Sequence, residues 1–156
     1  MFQNILVPLD GSAAGEKALD LALDMARCFG GQVTLLQVQE DGVDVGTAAV
    51  ARATALATGS EEQAMAIMRQ QSETYLREVV QARIESGVKM LTVVAAGRAG
   101  SRILAFAEEQ NVDLIVMATH GRTGLRRLAF GSVTEDVLRK AVCPVVVIRP
   151  PDYENG

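Results

Sequence analysis

Short, unbroken apolar runs alternate with amphipathic stretches along almost the whole chain, and this alternation limits the possible folds more than any other feature. Asn4 to Leu9, Gln32 to Val38, Lys89 to Ala95, Asp113 to Ala118 and Pro144 to Ile148 have the length of strands. Ile5–Leu9, Leu114–Ala118 and Val145–Ile148 are apolar throughout, as burial on both faces requires. After the first run, Asp10-Gly11-Ser12 is a turn able to cap a helix. In that helix Ala18, Leu21, Ala22, Met25, Ala26 and Phe29 recur at helical spacing and predict the buried face, with Gly30-Gly31 as the stop. Glu61 to Ser86 reads as a long amphipathic helix ended by Gly87, and Ser101–Gln110 and Val133–Lys140 as shorter ones. Residues 39–60 read as a surface loop with a short helix from Ala48 to Ala57. A flap over a ligand and a partner-docking segment fit that loop equally.

Strands separated by helices imply right-handed crossovers and a parallel sheet covered on both faces. The expected fold is therefore α/β: one doubly wound domain over residues 1–150, with a five-stranded parallel sheet in the order 3-2-1-4-5. A polar, frayed tail over 151–156 follows. Ligands in such sheets bind at the carboxyl ends of strands where the order reverses, here between strands 1 and 4.

Charge and composition narrow the partners. The 156 residues carry 15 Lys and Arg against 19 Asp and Glu, a net charge of −4. That balance argues against a nucleic-acid surface, and the absence of Trp leaves little for bases to stack on. No apolar run approaches the roughly 20 residues of a membrane span. Met1 to Ile5 leads straight into a strand pattern, so no signal peptide is expected. Cys28 and Cys143 form no CxxC and read as two small buried hydrophobes in a reducing cytoplasm.

The segment after the fourth strand carries the chemistry. Thr119-His120 leads into Gly121-Arg122-Thr123-Gly124-Leu125-Arg126-Arg127-Leu128-Ala129-Phe130-Gly131-Ser132, and a helix follows. Glycines let backbone N–H groups approach an anion, and a helix N-terminus adds unpaired donors and about half a positive charge. Together they form an apparatus for holding phosphates. Asp10 follows strand 1 and so converges on the same crevice.

At these residues the chain resembles the universal stress protein family. The matching stretches are Ile5 to Ser12, Leu35 to Val38, Asp113 to Arg122, Gly131 to Val133 and Cys143 to Val147, spread over nearly the whole chain. The nucleotide-binding branch of that family carries G-x2-G-x9-G-[ST]; here Gly121, Gly131 and Ser132 match, and Ala118 replaces the first glycine. Its methyl narrows the approach of backbone to ligand but leaves the N–H in place. The resemblance implies an ATP site, able also to take ADP or AMP. It puts Pro8, Leu9 and Asp10 beside the adenosine, Val38 and Met117 against the adenine, and Ala118, Gly121 and Arg122 along the ribose and first phosphates. Gly131, Ser132, Val133 and Thr134 would face the outer phosphates, and Asp10 would bind a sugar or a phosphate-linked Mg.

Simpler roles compete for several of these residues. Ser132-Val133-Thr134-Glu135 is also a capping box, and Asp10 also suits a helix cap. Arg122, Arg126 and Arg127 also suit a solvated surface. His120 has no Ser or Cys nucleophile paired with it by any recognisable pattern, so no catalytic residue is expected and any ATP hydrolysis is slow. Other motifs are missing: there is no G-x-x-x-x-G-K-[ST], no G-x-G-x-x-G after strand 1, and no metal-ligand spacing. A receiver domain would need an Asp after strand 3 and a Lys after strand 5, where this chain has Ala95-Ala96-Gly97 and Arg149.

The expected function is thus an ATP-dependent regulatory module of the stress response, with a nucleotide-free interaction protein as the alternative. Val145, Val146, Val147 and Ile148 form an uncharged, proline-free strand at a sheet edge, which predicts a homodimer paired through strand 5.

Overall fold

A computed structural model describes residues 1–40, 57, 59–119 and 131–149. The elements in order are β1 (Asn4–Pro8), α1 (Ala13–Phe29), β2 (Gln32–Gln39), α2 (Glu61–Gln81), a 3-10 turn (Ile84–Ser86), β3 (Lys89–Ala96), α3 (Ala99–Glu109), β4 (Leu114–Ala118), α4 (Ser132–Lys140) and β5 (Val145–Ile148). Among the described residues these strands form one parallel sheet in the order β3-β2-β1-β4-β5, as the alternation of patterns predicts. The short helix expected from Ala48 (apart from Ala57), the segment 120–130 and the tail from 150 onward lie outside the described residues.

Successive strand residues point to opposite faces of the sheet, and both faces are covered. Ile5, Val7, Val33, Leu35, Leu114 and Val116 pack beneath α1 and α2 with Leu19, Leu23, Leu76 and Val79. Leu6, Leu36, Ile115 and Met117 pack on the other side with Ile103 and Ala107 of α3 and Val137 of α4. Each of the four central strand residues Ile5, Leu6, Val7 and Ile115 is fully excluded from solvent. Burying a side chain of that size stabilises the fold by about 1.5–3 kcal/mol.

Four local expectations are corrected. The buried face of α1 is Gly15, Ala18, Leu19, Ala22, Leu23 and Ala26, while Leu21 and Phe29 are 36% and 42% exposed. Leu21 lies more than a quarter turn round from the centre of that face at 100° per residue. Phe29 instead sets its ring edge-on to Phe2, 5.4 Å between centroids. The long helix stops at Gln81 and not at Ser86; the chain tightens into the 3-10 turn before Gly87 reverses it at φ 70°. Helix α4 starts at Ser132 itself, with Gly131 as its N-cap, so the Ser132–Glu135 capping box does not form. The Glu135 carboxylate accepts instead from Arg139, one turn on. The cysteines are free thiols but not buried hydrophobes: Cys28 is exposed, and Cys143 is partly so.

Candidate functional site

The strands β1 and β4 are closed at one end and part at the other. At the closed end the Asp113 carboxylate accepts from the N–H groups of Gln3 at 2.8 Å and Asn4 at 3.1 Å, and the Asp113 N–H donates to the Asn4 carbonyl at 3.0 Å. The two strands pair at Ile5 with Leu114 and at Leu6 with Ile115, although both continue to Pro8 and Ala118. The backbone explains where the pairing stops. The carbonyl of Asn4 faces β4, and strand geometry turns every second residue the same way, so position 8 also faces β4. It is a proline, with no N–H to offer a ladder there. Leu9, turned the other way, donates to the Leu36 carbonyl of β2 at 2.9 Å.

A cavity of about 100 Å³ opens in that gap. Its walls are Pro8, Leu9 and Asp10 after β1, Ser12, Ala14 and Gly15 at the start of α1, Leu36 and Val38 from β2, Ala99 and Ile103 from α3, Met117, Ala118 and Thr119 from β4, and Val133 and Thr134 from α4. Eight residues singled out from the sequence thus meet around one space: Pro8, Leu9, Asp10, Val38, Met117, Ala118, Val133 and Thr134. Gly131 and Ser132 lie next to it, at the cap and first residue of α4, without lining it. Gly121 and Arg122 are outside the described residues.

Ser12, Ala14, Gly15, Leu36, Ala99, Ile103 and Thr119 were not among the predicted site residues. The turn at Asp10–Ser12 holds a signal for Gly15: the Ser12 hydroxyl caps α1 by accepting from the Gly15 N–H, 3.2 Å away, which fixes Gly15 against the turn. No sequence signal marks Ala99 or Ile103, which arrive through packing alone.

The helix ends around this space differ in their capping. The N–H of Ser12 donates to Asp10 Oδ1 at 3.0 Å, and the hydroxyl of Ser12 caps α1. The first N–H of α3, from Ala99, donates to the Glu40 carboxylate at 2.8 Å. The N-cap of α4 is a glycine with no side chain, and no described side chain accepts from its first turn. The first hydrogen bond of α4 runs from the Glu135 N–H to the Gly131 carbonyl, at 3.0 Å. The amides of Ser132 to Thr134 therefore precede the helical ladder and form a donor set suited to an anion.

Behind Asp10, α1 is tied to α2 by a hydrogen bond and to the start of the 3-10 turn by ion pairs. Arg83 donates to Asp20 at 2.7 Å and to Glu16 at 3.3 Å, and the Tyr75 hydroxyl donates to Glu16 at 3.4 Å. Burial, then the Glu16 charge and hydrogen bond, and then the Asp10 charge push the Tyr75 phenol up to about 12, against a smaller opposing pull from Arg83. Burial pulls the Arg83 guanidinium down, but its bonds to Asp20 and Glu16 outweigh this and hold it above its ordinary value. Cys143 is raised, first by burial and then by the Asp113 charge. Among the described residues no three His, Cys, Asp or Glu side chains gather to hold a metal, and no helix is long and apolar enough to cross a membrane.

Known proteins share this fold. The chain is 34% identical over 154 residues to universal stress protein MJ0531 of Methanocaldococcus jannaschii, covering 99% of this chain and 86% of that protein. The solved structure of MJ0577, from the same organism, superposes with a TM-score of 0.77 at 25% identity, covering 96% of this chain and 97% of that one. A universal stress protein from Archaeoglobus fulgidus, solved in complex with dAMP, shares the fold at a TM-score of 0.64 and 22% identity, covering 95% of this chain and 99% of that one. The model of the universal stress protein family matches residues 1–149. The chain belongs to the universal stress protein family.

Proposed function

We propose that this chain is a regulatory adenine-nucleotide-binding protein of the stress response, taking ATP, ADP or AMP in the cavity between β1 and β4. The observation that carries the reading is a coincidence of two features in one place: an apolar slot at the strand-order reversal, and a glycine-capped helix whose first amides have no described side-chain acceptor. The walls suit the ligand. Leu36, Val38 and Met117 offer an apolar surface for adenine, and the Pro8–Asp10 turn offers a carboxylate for the sugar or a phosphate-bound Mg. The α4 amides offer donors for phosphate oxygens. Gly121 and Arg122 are proposed phosphate contacts on the strength of the family motif alone. The dAMP complex of the A. fulgidus relative gives the same fold a precedent for an adenine nucleotide.

Residues 1–150 are taken as the nucleotide-binding domain and 151–156 as its tail, in a cytoplasmic setting where Cys28 and Cys143 stay thiols. Hydrolysis is taken to be at most slow, because the sequence pairs His120 with no recognisable nucleophile. The second reading, a nucleotide-free interaction protein, is favoured by one observation. The described walls enclose about 100 Å³, well below the roughly 300–1,000 Å³ of typical small-molecule sites.

Mass spectrometry of the purified protein, with calorimetric titration of ATP, ADP and AMP, separates the two. Co-purified or saturably bound adenine nucleotide supports the first reading; no binding at millimolar concentration favours the second. The proposed homodimer pairs β5, which lies at the sheet edge beside β4, with its two-fold mate. Sedimentation giving only monomer at micromolar concentration overturns that pairing.

A further inference from the structure

The opposite edge of the sheet carries a different device. Strand β3 runs eight residues in unbroken one-to-one register with β2, so it has no bulge, and it contains no proline. Gly97 donates to the Gln39 carbonyl at 3.0 Å, which fixes the facing of the strand: odd-numbered residues bond β2, and Met90, Thr92 and Val94 turn their N–H and C=O groups outward. Of the usual devices that protect an edge, Lys89 at the first position is the one present among the described residues.

Beside this edge lies a groove of about 510 Å³ between β3 and α2. Its floor is Leu76, Val80, Met90 and Val94, and its lip is Arg69, Glu73 and Arg77 at successive turns of α2. Arg69 pairs with Glu73 at 3.0 Å; Arg77 has no ion pair among the described residues. The lip is therefore net positive in a chain whose total charge is −4. On the reverse face of β3, Leu91 is 41% exposed.

We propose that the β3 edge and its groove dock an extended acidic segment of a partner protein, added to the sheet as a sixth strand. Its backbone takes the outward N–H and C=O groups of Met90, Thr92 and Val94. Its alternate residues meet two different faces. Acidic side chains on the groove side reach Arg77 and Arg69 while their methylenes lie over Leu76 and Val80, and apolar side chains on the other side cover Leu91. A second copy of this chain is the poorer occupant. Pairing β3 with its own two-fold mate would bring the positive lips of both copies to one seam, where like charges repel.

The test uses the full chain and a fluorescein-labelled acetyl-(Glu-Val)3-Glu-amide peptide, read by fluorescence anisotropy. Saturable binding is expected, weakened at least about tenfold by Arg77→Glu and by Thr92→Pro, and weakened by salt. Arg77 is an exposed helix residue, and the Thr92 N–H lies outside the β2–β3 ladder, so circular dichroism should show both variants folded. Slowed amide exchange at Met90, Thr92 and Val94 in the bound wild type would place the peptide on this edge. The proposal is overturned by absence of binding at about 1 mM peptide, by equal binding of the lysine-for-glutamate peptide, or by unchanged affinity in both variants. Sedimentation showing that Thr92→Pro dissociates a dimer would assign the edge to a second copy and overturn it too.

Discussion

Gly15 sits in the first turn of α1, where it lines the cavity, and it separates the requirements of folding from those of binding. A Cβ built there lies 3.3 Å from Leu9 Cδ2, 3.4 Å from Asp10 Oδ1 and 3.7 Å from Ser12 Oγ. The tightest of these contacts is the end of a leucine side chain, which can rotate at a cost of about 0.5–1.5 kcal/mol. Against it stands the helix preference for alanine over glycine, about 0.8–1.0 kcal/mol in a helix interior and less in a first turn. The two nearly cancel, so Gly15→Ala should change stability by no more than about 1 kcal/mol, or about 3 °C in Tm at this chain length. Binding has no such compensation, because the new methyl stands against the Asp10 carboxylate in the cavity wall. Adenine-nucleotide affinity should fall at least about tenfold, equivalent to about 1.4 kcal/mol. Calorimetric titration alongside thermal unfolding reads both quantities. A variant that loses more than about 2 kcal/mol of stability, or one that binds nucleotide as the wild type does, refutes the reasoning.

Gly131→Val should abolish nucleotide binding in a protein that still folds, because a branched side chain would stand at the cap of α4; Asp10→Ala should weaken binding less. Retained affinity in a folded Gly131→Val variant would move the phosphate site elsewhere. Tyr75 gives a pH signature. Its folded-state value of about 12 lies above the unfolded value of about 10, so its stabilisation is complete below pH 10 and is lost as the pH rises towards 12. Partial exposure and solvent screening reduce the size of the loss. Urea titrations at pH 9 to 11.5 should show the wild type losing more stability than Tyr75→Phe, and parallel curves would sink the assignment. Leu76→Ala, at a site fully excluded from solvent, should cost about 2–5 kcal/mol in urea unfolding. A smaller cost would mean that α2 packs less firmly than the structure shows.

The order of the sheet was legible because its strands are apolar runs of the right length with helical spacing between them. The meeting of Asp10 with Val133 and Thr134 followed from that order, since each comes after a strand that borders the reversal. The missing parts depend on facing, which composition does not encode. Leu21 and Leu23 are equally apolar, and only packing against the sheet decides which of them turns inward. Pro8 reads as a strand residue until its register shows that the absent N–H faces β4. Glu40 caps α3 at Ala99, a partner 59 residues away in the chain. The capping box failed because Gly131 takes the N-cap and the helix begins one residue earlier than the Ser-x-x-Glu pattern suggests.

The seam between β1 and β4 resembles a clothes-peg, gripped by Asp113 and sprung apart by an imino acid. Its two ends consequently answer to different demands. Substitutions near the grip should register in unfolding experiments, whereas among the jaws the exposed Asp10 can be changed at less cost to the scaffold than the buried Leu36 and Ile103 beside it. Supplying the withheld amide, as in Pro8→Val, would offer β4 one more donor, and the seam would gain a rung of sheet at the mouth of the gap.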